Sequence, residues 1–143
     1  MTVQTSLGSD TALVVEQALT ALKTRDFDTL EALLADDIVY VNVGTPATRS
    51  RRSTMTVMRL TKFVKLEVEV HHTTSNGATV LNERTDAIVI GPLRLQFWAC
   101  GVFEVHDGRI TLWRDYFDFY DFTRNSVLGV VGMVIPAVRP AMS

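Results

Sequence analysis

Residues 76–120 read NGATVLNERTDAIVIGPLRLQFWACGVFEVHDGRITLWRDYFDFY, and this stretch decides the fold class. It is rich in β-branched and aromatic residues, which favour strands. Asn76-Gly77 and Asp107-Gly108 are hairpin signals because both central positions of such turns need a positive φ, and Gly91-Pro92 breaks the chain between them. Together with the residues just before it, the stretch predicts an antiparallel meander of four strands, at about 63–72, 78–90, 93–105 and 109–120.

The residues that precede the meander have helical periodicity. Apolar side chains recur at helical spacing over 10–23 and again over 26–37, where Asp26 is a candidate N-cap. A short β-prone run at 38–43 is followed by a third predicted helix at 49–62. Helices first and a curved sheet afterwards indicate an α+β domain with helices on one face of the sheet, and not a parallel α/β fold.

Length and composition point to one domain of 143 residues, in which we expect residues 1–9 to be flexible and 123–143 to form an apolar C-terminal tail. The net charge of −2, with both signs interspersed, gives no reason to expect a nucleic-acid partner. The apolar run at 127–138 is shorter than the roughly 20 residues that span a bilayer, so no stable membrane insertion is expected. A single cysteine, Cys100, and no signal-peptide pattern make the cytoplasm the expected location.

Charged residues fall on strand faces that are otherwise apolar. Arg84 and Asp86 share one face of their predicted strand, and Asp115 lies between Trp113 and Phe117 on one face of the last strand. A buried carboxylate needs a partner, and one guanidinium can bridge two carboxylates. One shared proton would make the trio neutral and would supply an acid and a base together. From spacing alone, a salt-bridge network that serves only the fold is an equally open interpretation.

Other polar residues are weaker candidates. Tyr40 and Asn42 are two residues apart, so they face the same way and could hold a water molecule with a carboxylate as third partner. The three histidines lack metal-ligand spacing, since His71 and His72 are adjacent and His106 lies at a turn. The glycines of the C-terminal tail follow no strand, as a dinucleotide fingerprint would require. We therefore expect neither a metal nor another cofactor.

Five short segments carry a family resemblance. They are Tyr40-Val-Asn42, Asn82-Glu-Arg84-Thr-Asp86, Gly101-Val-Phe103, Asp107-Gly-Arg-Ile110 and Trp113-Arg-Asp115-Tyr-Phe-Asp118. Together they resemble the limonene epoxide hydrolase family, and most closely its mycobacterial members. The resemblance runs from about Val15 to Phe122, with matching order and near-matching spacing. It implies the curved cone of the SnoaL-like and nuclear-transport-factor-like superfamily.

The resemblance also implies roles for five residues. The family's water-activating aspartate matches Asp115, its epoxide-protonating aspartate matches Asp86, and its bridging arginine matches Arg84. Its water-binding tyrosine and asparagine match Tyr40 and Asn42. The loop at 44–53 and the tail after residue 122 depart from the family, which affects the expected substrate size and orientation and not the expected reaction.

Two classes of function follow from this reading. The first is a hydrolase that adds water to a lipophilic epoxide and gives a vicinal diol in one general acid/base step, without a covalent intermediate. The alternative is a non-catalytic binder of lipophilic molecules, or a steroid-isomerase-like or cyclase-like enzyme on the same fold. An isomerase would need one carboxylate opposite neutral donors, whereas here an arginine lies between two carboxylates.

The expected partners are a small lipophilic epoxide, water and a second copy of the chain. Alternation and the resemblance place five apolar side chains along the substrate pocket: Leu19, Leu22, Ile88, Phe97 and Phe117. The resemblance implies a homodimer, and we expect it to form through the outer face of the sheet. Gln96, Trp98 and Cys100 alternate with Leu95, Phe97 and Ala99, so one of the two sets needs cover outside the pocket.

Overall fold

The computed structural model describes residues 2–135, and its largest element is the predicted four-stranded antiparallel meander. Three helices and one strand precede the meander, and one helix follows it. The elements are α1 (Thr2–Thr24), α2 (Phe27–Ala32), β1 (Leu34–Asn42), α3 (Arg51–Met58) with a 3-10 turn (Arg59–Phe63), β2 (Lys65–Asn76), β3 (Thr79–Ile90), β4 (Leu93–His106), β5 (Arg109–Phe117) and α4 (Phe119–Gly132). The α+β prediction is confirmed.

The five strands form one curved sheet in the order β1-β5-β4-β3-β2. β1 is parallel to β5, a pairing that the sequence analysis did not predict. The face that carries Val80, Phe103 and Trp113 packs against α1, and we call it the inner face. The core between this face and the helices also contains Met55 and Met58 of α3.

Two element boundaries differ from the predictions because tertiary contacts override local periodicity. The second helix ends at Ala32, since Leu34 already belongs to β1 and lies opposite Ile110 of β5. Residues 36–37, which were predicted to end that helix, are exposed residues of β1. The first helix begins at Thr2, eight residues before the predicted start at Asp10. Flexibility of residues 1–9 stays a prediction.

The end of the meander also differs from the prediction. β5 stops at Phe117 and not near residue 120, because Asp118 caps the next helix by accepting a hydrogen bond from the Asp121 N–H at 2.9 Å. Phe119, which was predicted to share a strand face with Asp115, lies in α4 instead. The predicted cap of α2 is confirmed, since the Thr29 N–H donates to Asp26 Oδ1 at 3.2 Å.

The turns of the meander lie at the predicted positions or within one residue of them. In the turn between β4 and β5, Asp107 and Gly108 both have positive φ, as expected. The turn between β2 and β3 is shifted by one residue. Its central residues are Gly77 and Ala78, of which Gly77 alone has positive φ, because Asn76 still pairs with Thr79 in the sheet.

The C-terminal helix α4 lies directly on the backbone of β4. A Cβ added at Gly129 would lie 2.1 Å from the carbonyl oxygen of Arg94, so the absence of a side chain at this residue allows the close approach. Large apolar side chains of α4 point away from the sheet, and Val127 and Val130 are more than half exposed. Within residues 2–135, no helix is both long and apolar enough to cross a membrane. The end of the predicted tail, residues 136–143, lies outside the described residues.

Candidate active site

Strand register brings the predicted polar residues together on the inner face. Asn42 of β1 lies opposite Asp115 of β5, and Asp115 lies opposite Gly101 of β4. Gly101 in turn lies opposite Asn82, which precedes Arg84 on the same face of β3. Side chains that are directly opposite each other on neighbouring strands share a face. The side chains of β5 and β3 therefore meet across the small Gly101, and Asn42 of β1 lies beside Asp115.

Arg84 bridges the two carboxylates, as the sequence predicted. Its Nε donates to both oxygens of Asp86, at 3.0 and 3.1 Å, and its Nη2 lies 2.8 Å from Asp115 Oδ1. Its Nη1 donates to Asn82 Oδ1 at 3.1 Å. The Arg84 side chain is only 2% exposed, so the guanidinium is held by protein groups on three sides. We call Arg84, Asp86 and Asp115 the polar cluster.

Asp115 has an asymmetric environment. Its Oδ2 accepts a hydrogen bond from the Trp113 indole N–H at 3.1 Å. Its Oδ1 forms an ion pair with Arg84 Nη2 at 2.8 Å, and no other group among residues 2–135 donates to this oxygen. A carboxylate oxygen can accept more than one hydrogen bond. Asp115 Oδ1 therefore keeps the capacity to accept a hydrogen bond from a ligand O–H.

Burial and charge act against each other in the polar cluster. Burial raises the pKa of Asp86 to about 6, although the Arg84 guanidinium lowers it. Burial also raises the pKa of Asp115, against the lowering by Arg84 and Trp113. Burial alone would lower the pKa of Arg84, but the carboxylates of Asp115 and Asp86 outweigh it and the pKa is raised. The arginine therefore stays charged, and the two carboxyl groups compete for one proton.

Tyr40 and Asn42 lie on the inner face next to the polar cluster. Asn42 Nδ2 donates to Tyr40 Oη at 3.1 Å, and the tyrosine ring packs edge-on against Trp113 at 5.7 Å between centroids. Burial and the charge of Asp115 raise the pKa of Tyr40 to about 12. Tyr40 is therefore a neutral hydrogen-bonding group at the pH of most assays.

A groove of about 540 Å³ lies between α1 and the edge strand β2. Its lining includes Asn82, the hydrogen-bond partner of Arg84, but none of the three residues of the polar cluster. Its lining is mixed: Ala12, Val15, Leu19, Val68 and Val70 are apolar, and Glu16, Thr20, Lys23, His71, Thr73 and Asn82 are polar.

The five predicted substrate-contacting residues have different positions. Leu19 lines the groove. Phe97 and Phe117 pack edge-to-face against each other on the inner face, with centroids 5.1 Å apart. Ile88 is half-buried on β3, two residues from Asp86, and Leu22 packs on the core. Contact of these five residues with a substrate stays a prediction.

Two residues of the site were not identified from the sequence. Asn82 holds Nη1 of Arg84, and the indole of Trp113 donates to Asp115. Each lies two residues from its partner on the same strand, so the alternation of side chains along a strand could have identified the contact. Asn82 had been noted only as part of a motif, and Trp113 only as an apolar neighbour.

Comparison with known proteins identifies the family. The family model described as limonene-1,2-epoxide hydrolase catalytic domain matches residues 9–127. The chain is 53% identical over 129 residues to epoxide hydrolase EphG of Mycobacterium tuberculosis, covering 90% of this chain and 87% of the relative.

Solved structures agree with this assignment. An LEH-like epoxide hydrolase of M. tuberculosis superposes with a TM-score of 0.90 at 50% identity, covering 94% of this chain and 97% of the other. An NTF2-like protein of Burkholderia xenovorans, at 16% identity and a TM-score of 0.68, covers 82% of this chain and 95% of the other and shares the fold alone. The resemblance read from the sequence is confirmed: this chain belongs to the limonene epoxide hydrolase family.

Proposed function

We propose that this protein adds water to a lipophilic epoxide and releases a vicinal diol in one general acid/base step. Family membership supports the reaction class. The observation that carries the mechanism is the polar cluster, in which one buried arginine holds two carboxyl groups with raised pKa values. In such a pair, one carboxyl group can be protonated while the other is ionised. The pair can then act as an acid and a base in the same step.

We assign the base to Asp115 and the acid to Asp86. Asp115 lies against two donor groups, the Arg84 guanidinium and the Trp113 indole, and both favour its ionised form. Among residues 2–135, Asp86 has a single charged donor, the Nε of Arg84, so we assign the shared proton to Asp86. The open lone pairs of Asp115 Oδ1 suit the water nucleophile.

Both proton transfers of the proposed reaction take place within the polar cluster. Asp115 removes a proton from water while the water oxygen bonds to an epoxide carbon and the carbon–oxygen bond of the epoxide breaks. Asp86 donates its proton to the departing oxygen, so the leaving group is a hydroxyl and not an alkoxide. Tyr40 and Asn42 are the proposed further partners of the water, because register places Asn42 beside Asp115. Transfer of the proton from Asp115 to Asp86 restores the starting state.

The substrate is proposed to be lipophilic because aromatic side chains lie on the same inner face as the cluster and part of the groove lining is apolar. Val15, Leu19, Val68 and Val70 line the groove that reaches Asn82. The aromatic side chains of Phe97 and Phe117 lie on the same inner face. Apolar walls with a few convergent polar groups are typical of sites for small apolar molecules.

The test is a single turnover with excess enzyme in oxygen-18 water, after a panel of cyclic and long-chain epoxides has identified a substrate. Direct attack by water puts heavy oxygen into essentially every diol. Attack by a carboxylate would instead give an unlabelled diol in the first turnover, since the ester oxygen enters the product. Formation of no diol from any epoxide, with tight binding of the same molecules, would favour the non-catalytic binder.

The residue assignments need variants of matched volume. Asp86→Asn and Asp115→Asn should each lower kcat by at least about 10²-fold, the lower range for a general acid or base. Asp37→Asn changes an exposed carboxylate of β1 in the same way and should keep wild-type turnover. More than a tenth of wild-type turnover in either cluster variant would contradict its role.

A further inference from the structure

Asn82 is a buried polar residue for which the proposed reaction assigns no chemical step. Its side chain is almost fully enclosed, since the residue is 3% exposed. Its Oδ1 accepts a hydrogen bond from Nη1 of Arg84 at 3.1 Å. It is thus the third protein group on the guanidinium, beside the two carboxylates of the polar cluster.

Gly101 provides the space in which this contact forms. A Cβ at residue 101 would lie 2.6 Å from Nη1 of Arg84 and 2.8 Å from Oδ1 of Asn82. The same atom would lie 2.6 Å from the ring of Phe103, which is fully buried. The guanidinium and the amide therefore lie directly on the β4 backbone. A larger residue at 101 would collide with both groups unless they shifted.

The chemistry of the third contact matters because a guanidinium has several equivalent donors. If Nη1 had no acceptor, it would be a buried donor without a partner, and the guanidinium would gain by turning Nη1 toward a carboxylate. Either carboxyl group would then lose its present geometry. A neutral amide oxygen satisfies Nη1 without adding a further negative charge to a cluster that already holds two carboxyl groups.

We propose that Asn82 is a positioning residue, which occupies Nη1 of Arg84 so that Nε faces Asp86 and Nη2 faces Asp115. Gly101 makes the arrangement possible by leaving room above β4. This inference rests on the proposed function, because it assigns Asn82 a role in the same reaction. Asn82 also borders the groove, so a role in substrate binding alone is the competing explanation.

The experiment compares kcat, KM and pH profiles of two Asn82 variants. Asn82→Leu keeps the approximate volume and removes the acceptor, and we expect kcat to fall at least tenfold while KM stays within about twofold. Asn82→Asp keeps an acceptor but adds a carboxylate, and a nearby negative charge favours the protonated form of Asp86. We therefore expect the alkaline limb of its kcat/KM profile to move to higher pH. Glu83→Gln, which changes the neighbouring side chain on the opposite face of β3, is the control and should match wild type.

Each outcome decides between the explanations. Wild-type kcat in folded Asn82→Leu, or a change confined to KM, would overturn the positioning role. If Asn82→Leu does not fold, the pH profile of Asn82→Asp decides, and an unmoved alkaline limb contradicts the proposal. Failure of the proposed function is separate, because the wild type would then form no diol, or Asp86→Asn and Asp115→Asn would remain active in the same assay. If those two variants are inactive and both Asn82 variants behave as wild type, only the inference on Asn82 is wrong.

Discussion

Replacement of Asp86 by Asn is expected to remove activity and, at neutral pH, to stabilise the fold. The asparagine keeps the volume of the carboxyl group and resembles its protonated form, but it has no proton to give to an epoxide oxygen. The wild-type side chain is 9% exposed, and above its pKa of about 6 the ionised form, whose charge burial disfavours, outweighs the protonated form that the reaction uses. The variant carries no such charge.

The size of this effect follows from the pKa of Asp86. Burial, partly offset by Arg84, raises it from 3.8 to about 6, so the native state binds more protons than the unfolded state between those pH values. Proton binding to Asp86 therefore stabilises the native state fully below pH 3.8, and this stabilisation is lost as pH rises through 6. At about 1.4 kcal/mol per pH unit, the whole effect is about 3 kcal/mol.

The assay is urea unfolding of wild type and Asp86→Asn at pH 7.5 and pH 4.5, with diol formation measured on the same samples. The stability advantage of the variant should be about 2 kcal/mol larger at pH 7.5 than at pH 4.5, because most of the proton linkage is recovered by the lower pH. Asp37→Asn is the matched control at an exposed site. An advantage of the same size at both pH values would refute the reasoning, since Asp86 would then titrate as an ordinary aspartate.

Three further predictions concern the cluster, the C-terminal helix and the assembly. Arg84→Gln should lower the free energy of unfolding by about 3–5 kcal/mol because it strands two buried carboxyl groups, and wild-type stability in urea would contradict the buried cluster. Gly129→Ala should cost about 1–3 kcal/mol by overpacking, since the new Cβ would meet the carbonyl of Arg94; an unchanged melting temperature would show that α4 does not lie on β4. The proposed homodimer uses the outer face, where Trp98 and Tyr116 are 37% and 40% exposed, and a monomer mass by light scattering at micromolar concentration would exclude it.

Local chemistry was enough to predict the meander and the central contact of the site. The glycines and the alternating residues define β3 to β5, and a two-residue spacing places Arg84 and Asp86 on one face. The bridge to Asp115 was predictable because a carboxylate buried among aromatic residues needs a counter-charge.

The remaining features depend on contacts between distant segments, which local patterns do not contain. Residues 34–37 continue a helical pattern in the sequence but lie in a strand, because β1 pairs in parallel with β5. The roles of Asn82 and Trp113 depend on which donor of a side chain faces which acceptor, and only the assembled sheet fixes that. The position of α4 on β4 follows from the close approach at Gly129, which sequence periodicity cannot predict.

The parallel pairing of β1 with β5 has a consequence for the order of folding. Hairpin turns connect the strands from β2 through β5 in succession, so this part of the sheet can form from contacts that are close along the chain. About half of the chain separates Asn42 from Asp115, and joining them closes a long loop, whose entropy cost is repaid only when the strands pair. We therefore expect the complete site to assemble late, so that during refolding catalytic turnover should return after the strand signal of the meander.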